Sequence, residues 1–376
     1  MIFFRADANE KTGAGHMMRC LTIAQAVSDT LKQPEQGDSS FAPGIGFVCA
    51  DEASAALPIS RGFRTHILHT DYRDMESELA LLSALMAENA KDTGNGSSAS
   101  ANVIVVDSYF VTDAYLAVLR AFARVVLIDD NMERTYPADV ILNYNFHADA
   151  DAYRALYAND AGTRIFTGPR YAPLREQFAD RTYQVKEIVE EILVLAGGSD
   201  PLNTAGAVTR VLLEDVVNDI SNITERNNDH KNRPRITVVC GPYNPHAAEL
   251  AALAKREASL RVLRDVEDMA SLMCASDLCV SACGSTLYEL CAVGLPFVCF
   301  SLADNQEELA AWMGENGPAP FAGAFHRDSS QTLLAVRDQV TRLATDYEAR
   351  VMQCVEQRRL VDGLGARHIA KEVLTA

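Results

Sequence analysis

The sequence predicts two α/β domains, each a parallel sheet covered by helices on both faces, and three observations carry that expectation. Short β-branched runs alternate with longer helical stretches along the whole chain, the pattern of strand–helix–strand units with right-handed crossovers. The runs are continuously apolar rather than alternating, as strands covered on both faces require. The chain has 376 residues, and at roughly 150 residues per domain that makes two domains, each long enough to bury a core.

Taken in order, the first-half strand candidates are residues 2–4, 46–49, 103–107, 125–129 and 139–142. Those of the second half are 192–196, 236–240, 278–281 and 297–300. Helical patterns lie between them, for example at 17–27, 76–89, 204–218 and 249–258. Polar stretches at 33–43, 91–101 and 226–235 read as surface insertions without chemistry. A segment poor in apolar residues, 168–186, is the expected linker between domains 1–167 and 187–376. The tail 346–376 reads as helical, is assigned to the second domain, and is broken at Gly363 and Gly365. Ligands of such sheets sit beyond the carboxyl ends of the strands, so the loops there are the place to look.

Charge narrows the partners. Lys and Arg number 34 against 51 Asp and Glu, a formal net charge of −17. That balance argues against non-specific binding to nucleic acid or to anionic membrane, both of which draw on clustered Lys and Arg. The chain contains no apolar run of membrane-spanning length, and residues 1–30 lack the segments of a signal peptide. The nine cysteines include no CxxC pair, and Cys279, Cys291 and Cys299 sit in apolar runs. They read as buried free thiols in a reducing cytoplasm. The spacing of Cys274, Cys279, Cys283 and Cys291 matches no zinc pattern, so core packing is the expectation and no metal is assigned.

Three motifs carry chemistry. The first is Arg5-Ala6-Asp7 followed by Thr12-Gly13-Ala14-Gly15-His16-Met17-Met18-Arg19. A strand ends, glycines permit a tight loop, and a helix follows with Met17, Cys20, Leu21 and Ala24 on one face. Backbone N–H groups in such a loop can approach a phosphate or sugar closely, although a plain tight turn has the same signature. His16 stands at the helix start, where the helix dipole and Arg19 disfavour imidazolium and leave a base; capping the helix would be its ordinary role.

The second motif, Gly197-Gly198-Ser199-Asp200-Pro201, repeats the form after the strand at 192–196. The Gly198 and Ser199 amides could hold a diphosphate, or the segment could simply cap the next helix. The third lies within 266–306 and contains Cys283-Gly284-Ser285-Thr286, then Glu289, then Ala303-Asp304-Asn305-Gln306. Gly284, Ser285 and Thr286 open a helix with amides and hydroxyls placed for phosphate. Glu289 is one turn further on, where a carboxylate can accept both hydroxyls of a ribose or merely face solvent. Asp107-Ser108-Tyr109 and Asp129-Asp130 also follow strands; neighbours at a strand end point opposite ways, so one of Asp129 and Asp130 is expected to be structural.

The third segment resembles the nucleotide-binding half of GT-B enzymes such as the peptidoglycan N-acetylglucosaminyltransferase. The set as a whole resembles the UDP-2,4-diacetamido-2,4,6-trideoxy-β-L-altropyranose hydrolase family of the pseudaminic acid pathway, with a similar spore-coat polysaccharide branch. The carrying residues are Arg5-x-Asp7, Gly13-x-Gly15-His16-x-x-Arg19, Asp107-x-Tyr109, Gly168-x-x-Tyr171-Ala172-Pro173-Leu174-Arg175, Gly197 to Pro201 and Ala303 to Gln306, over about residues 1–316.

The resemblance implies a GT-B-like fold, two Rossmann-like domains with parallel sheets facing across a cleft, and UDP held mainly by the second. It implies that His16 is catalytic, that Tyr109 stands on the substrate side and that Asn305 contacts the sugar. Glu289 would meet the ribose and the backbone at Val266 the uracil. Cys283 departs from the family's small residue beside the Gly-Ser-Thr turn.

The expected substrate set is therefore Arg5, Asp7, Gly13, Gly15, Arg19, Gly198, Ser199, Val266, Gly284, Ser285, Thr286, Glu289 and Gln306 around His16, Tyr109 and Asn305. The expected reaction is hydrolysis of a UDP-sugar at the anomeric carbon with inversion, without cofactor or metal; the alternative is a GT-B glycosyltransferase using the same donor. The expected partner is a small-molecule UDP-sugar, and positive potential is expected to come from Arg5, Arg19 and the glycine loops.

Overall fold

The structure is a computed structural model. It describes residues 1–9, 13–32, 44–92, 102–160, 162–217, 220 and 233–376. Thr12, the stretch 33–43 and most of the stretches 91–101 and 226–235 lie outside the described residues.

The chain divides into two compact units, Met1–Arg175 with Leu364–Ala376, and Glu176–Gly363. The break between Arg175 and Glu176 falls inside the expected linker. The C-terminal helix Gly365–Leu374, expected with the second domain, belongs to the first. Its apolar face, Ile369, Ala370 and Val373, enters the same core as Met17, Cys20 and Ala24 of helix Gly15–Leu31. Apolar complementarity, not adjacency in sequence, decides where that helix goes. Gly365 sits where a Cβ would come within 2.1 Å of the Ala172 carbonyl oxygen, so the helix starts against that backbone only because the residue is glycine.

The first unit holds β1 (Ile2–Ala6), β2 (Ile45–Cys49), β3 (Arg64–Ile67), β4 (Val103–Asp107), β5 (Arg124–Ile128), β6 (Val140–Asn143) and β7 (Arg164–Thr167). They form one seven-stranded sheet in the order β3-β2-β1-β4-β5-β6-β7, parallel throughout. The continuous runs are explained by two cores, one on each face. Phe4, Phe47 and Val105 pack under helix Gly15–Leu31, whereas Phe3, Val48 and Val106 pack with Leu82 and Tyr115.

The second unit holds β8 (Glu191–Leu195), β9 (Arg235–Val239), β10 (Leu260–Leu263), β11 (Leu278–Ala282), β12 (Phe297–Ser301) and β13 (Phe321–Ala324). Its six-stranded parallel sheet runs β10-β9-β8-β11-β12-β13. All nine cysteines are free, and Cys279, Cys291 and Cys299 are buried as expected. Among the described residues, no helix is long and apolar enough to cross a membrane.

Both strand orders reverse once, between β1 and β4 in the first unit and between β8 and β11 in the second. At such a switch point the connections leave in opposite directions and open a crevice beyond the carboxyl ends. The first motif and Asp107 follow β1 and β4; the second and third motifs follow β8 and β11.

Candidate active site

In the first unit the register pairs Ala6 of β1 with Asp107 of β4, so the two strands end side by side. Gly13 then turns the chain with φ of 71° and donates its N–H to the Asn9 carbonyl at 2.8 Å, a left-handed conformation that glycine adopts without strain. Gly15 is exposed at the helix start. His16 follows at 9% exposure, which brings its Nδ1 to 2.6 Å from Asp107 Oδ1.

Asp107 is itself 1% exposed. Burial alone would push its carboxyl up, but Arg19 and the hydrogen bond from His16 hold it down, to about 2. An ionised Asp107 can only accept, and at 2.6 Å it lies closer to Nδ1 of His16 than the Arg19 Nη2 at 3.1 Å; the shorter contact favours the tautomer with its hydrogen on Nδ1 and Nε2 open. Besides the helix dipole and Arg19, the residue that orients the His16 ring is Asp107, 91 positions away in the chain and invisible to local pattern.

Arg19 is a clamp. Its Nε and Nη2 donate to the two oxygens of Asp107 at 2.5 Å each, and Nη1 and Nη2 reach Asp130 at 3.1 and 2.8 Å. Nη1 also donates to the Tyr144 hydroxyl at 2.8 Å. Asp130 in turn accepts from the Tyr109 hydroxyl at 3.3 Å, and the Tyr109 ring stands edge-on to His16 at 4.6 Å between centroids. Tyr109 remains 62% exposed. Burial and the Asp130 carboxylate keep its phenol protonated beyond the ordinary tyrosine range. Of the adjacent pair, Asp130 faces the site, while Asp129 is structural: it accepts from Asn131 N–H, Met132 N–H and the Tyr153 hydroxyl.

Two expected contacts turn out to be supports. Arg5 is fully buried, with a two-pronged ion pair to Glu78 at 2.8 Å and a third contact to Asp7 at 2.5 Å; Tyr115 donates to the same Glu78. Asp7 spends its other oxygen on the Ala50 N–H, locking the ends of β1 and β2 together. Neither side chain is available to a ligand. The expectation of positive potential from Arg5 and Arg19 is corrected by the same geometry, because each guanidinium meets two carboxylates. What the first unit presents is an imidazole held by a buried carboxylate, with both arginines already paired.

In the second unit, Gly197, Gly198 and Ser199 are exposed beyond β8, and Gly197 has φ of 78°. Asp200 is buried and accepts from Thr204 N–H at 2.7 Å and Ala205 N–H at 3.0 Å. It thus holds the first amides of the next helix, which an anion would want, while Gly198 and Ser199 stay exposed before it. Beyond β11, Ser285 is exposed and caps helix Thr286–Val293 with no side-chain bond. That end, with Gly284 and Thr286, keeps an anion-compatible N-terminus, and Glu289 lies half-buried in the first turn.

Val266 is half-buried between β10 and helix Met269–Cys274, and Asp268 caps that helix through Ser271 N–H. Asn305 is exposed on a short turn after β12, whereas Gln306 bends back to accept the Leu302 N–H at 2.7 Å and is structural. Among the described residues, Asp304, Glu307 and His326 form a cluster of metal-ligand type, but Arg327 already bridges its two carboxylates. Gly241 belongs to no motif, yet a Cβ there would come within 2.3 Å of the Gly198 carbonyl oxygen. The loop after β9 is therefore pressed onto the loop after β8.

Two Rossmann-like parallel-sheet units, each with glycine-containing loops at its switch point, define the GT-B fold. MurG of Acinetobacter baumannii shares it, with a TM-score of 0.62 and 15% identity over 100% of this chain and 99% of that one. Within that fold the chain is a distant relative of the UDP-2,4-diacetamido-2,4,6-trideoxy-β-L-altropyranose hydrolase of Campylobacter jejuni, 22% identical over 319 residues that cover 84% of this chain and 97% of that one. It is 27% identical over 246 residues, 65% and 67% of the two chains, to the spore coat polysaccharide biosynthesis protein SpsG of Bacillus subtilis. No family model matches the chain.

Proposed function

We propose that this protein hydrolyses a UDP-linked 2,4-diacetamido-2,4,6-trideoxy hexose at its anomeric carbon, releasing UDP and the free sugar with inversion, in a reducing cytoplasm and for nonulosonic acid synthesis. The observation that carries the reading is the His16–Asp107 pair at the switch point of the first unit, a base oriented for use beside an exposed tyrosine. The likeness to the Campylobacter hydrolase supports the substrate class, and nine free thiols fit the compartment.

In this scheme Nε2 of His16 takes a proton from water as the water oxygen bonds to C1. The C1–O bond to UDP breaks, and its electron pair leaves with the diphosphate. Asp107 stabilises the imidazolium that forms. UDP leaves without protonation, so the second carboxylic acid that glycosidases use is unnecessary. Gly198, Ser199, Ser285 and Thr286 are the proposed donors to the growing diphosphate charge, with Glu289 on the ribose, Val266 on the uracil and Asn305 on the sugar. Gly13 and Gly15 shape the loop that presents His16. The scheme uses no metal or cofactor.

The test is a panel of UDP-sugars incubated with the protein and no acceptor, following UDP release. Release from a diacetamido donor supports the reading; turnover only after an acceptor is added makes the protein a glycosyltransferase.

A further inference from the structure

We infer that Tyr243 is the stacking platform for the nucleobase of the nucleotide held by the second unit, and that its ring favours a pyrimidine diphosphate over the diphosphate alone. The inference rests on the proposed reading of that unit as the UDP-binding one. It deepens that reading by naming a residue outside every motif singled out above.

Tyr243 is 81% exposed, the largest exposure of any aromatic among the described residues with large apolar side chains at the surface. Its ring covers no core, yet its backbone is held firmly. Tyr243 N–H donates to the Gly198 carbonyl at 3.1 Å. Gly241, two residues earlier, lies so close to the Gly197 and Gly198 carbonyls that a Cβ would overlap them. Asn244, one residue later, is buried; its Nδ2 donates to Asp200 Oδ2 at 3.3 Å and its Oδ1 accepts from His246 N–H at 2.7 Å. An exposed aromatic ring on a backbone pinned from three sides pays little ordering entropy when a flat ligand settles on it.

The sheet places that ring along the nucleotide's path. Val266 follows β10 and Gly284–Thr286 follow β11, with β9 and β8 between them in the order β10-β9-β8-β11. Three inter-strand steps make roughly 14 Å, a span suited to an extended nucleoside diphosphate. A nucleotide with its base toward β10 and its phosphates at β8 and β11 must cross the loop after β9, and Tyr243 is the aromatic residue of that loop.

The experiment is calorimetric titration of UDP into the unaltered protein, Tyr243→Phe and Tyr243→Ala. Loss of a base–aromatic stack predicts a dissociation constant about tenfold higher for the Ala variant, with the Phe variant within about twofold of the unaltered protein. An Ala variant that binds within about twofold of the unaltered protein overturns the inference, as does a Phe variant as weak as the Ala one, which would assign the effect to the hydroxyl. No UDP binding by the unaltered protein would overturn the underlying reading instead.

Discussion

Replacing Asp107 with Asn isolates the feature on which the proposed chemistry depends. The carboxylate accepts from His16 Nδ1 at 2.6 Å and from two nitrogens of Arg19 at 2.5 Å. A carboxamide of the same shape can turn its NH2 toward His16, which places the imidazole hydrogen on Nε2 and removes the base. Losing both the tautomer and the partner of the developing imidazolium costs about 10³–10⁴-fold in kcat, or ~4–5 kcal/mol of barrier. The fold should survive, because Arg19 keeps Asp130 and Tyr144 and the loss of one charged partner then costs about 1–3 kcal/mol. Single-turnover UDP release at pH 7, with thermal unfolding measured in parallel, separates the two effects. A folded Asp107→Asn protein that keeps a tenth or more of the activity would refute the assignment of His16 as an Asp107-oriented base.

Other outcomes follow from the same geometry. Glu78→Ala leaves fully buried Arg5 with Asp7 alone, so unfolding by denaturant should show a loss of about 3–5 kcal/mol; a loss under 1 kcal/mol would contradict the paired reading. Gly241→Ala forces a Cβ to 2.3 Å from Gly198 O and should displace the loop after β8, weakening UDP binding about tenfold or more while β9 stays paired; unchanged affinity would contradict that role. Acid should remove a defined share of stability. Asp107 falls from an ordinary 3.8 to about 2 in the folded state, so its contribution, about 2 kcal/mol, is complete above pH 4 and is lost as pH falls through 2; in Asp107→Asn that component of the acid transition should vanish.

Much of this architecture is legible in the sequence, and the omissions have one physical cause. Every expected strand is present to within two residues at each end. The four that the pattern passes over are β3, β7, β10 and β13, and these are the two edges of each sheet. An edge strand packs on fewer neighbours, so it needs no continuous apolar run; Arg64–Ile67 and Arg164–Thr167 each have an exposed Arg and only half-buried residues after it. The C-terminal helix follows the second unit in sequence, so adjacency points to the wrong core, whereas its apolar face matches the first unit.

The candidate site is legible in kind but not in charge. Glycine turns before helices mark loops that follow the switch-point strands, and His16 lies in the first turn of the helix after β1. Ion pairing is the part a linear pattern conceals. Arg5 and Arg19 read as cationic contacts, yet Glu78, Asp107 and Asp130, distant in sequence, neutralise them. The loop holding Tyr243 carries no motif, because its position comes from the close approach of Gly241 to another loop's backbone.

The measurement that bears most directly on the central claim is hydrolysis of the UDP-diacetamido sugar in ¹⁸O-labelled water without acceptor, followed by NMR from the first turnover. Cleavage at C1 by water directed from His16 predicts label in the anomeric hydroxyl, unlabelled UDP, an inverted first-formed anomer and loss of the reaction in His16→Asn. Label in the phosphate, a retained anomer, or undiminished turnover by a folded His16→Asn protein would contradict it.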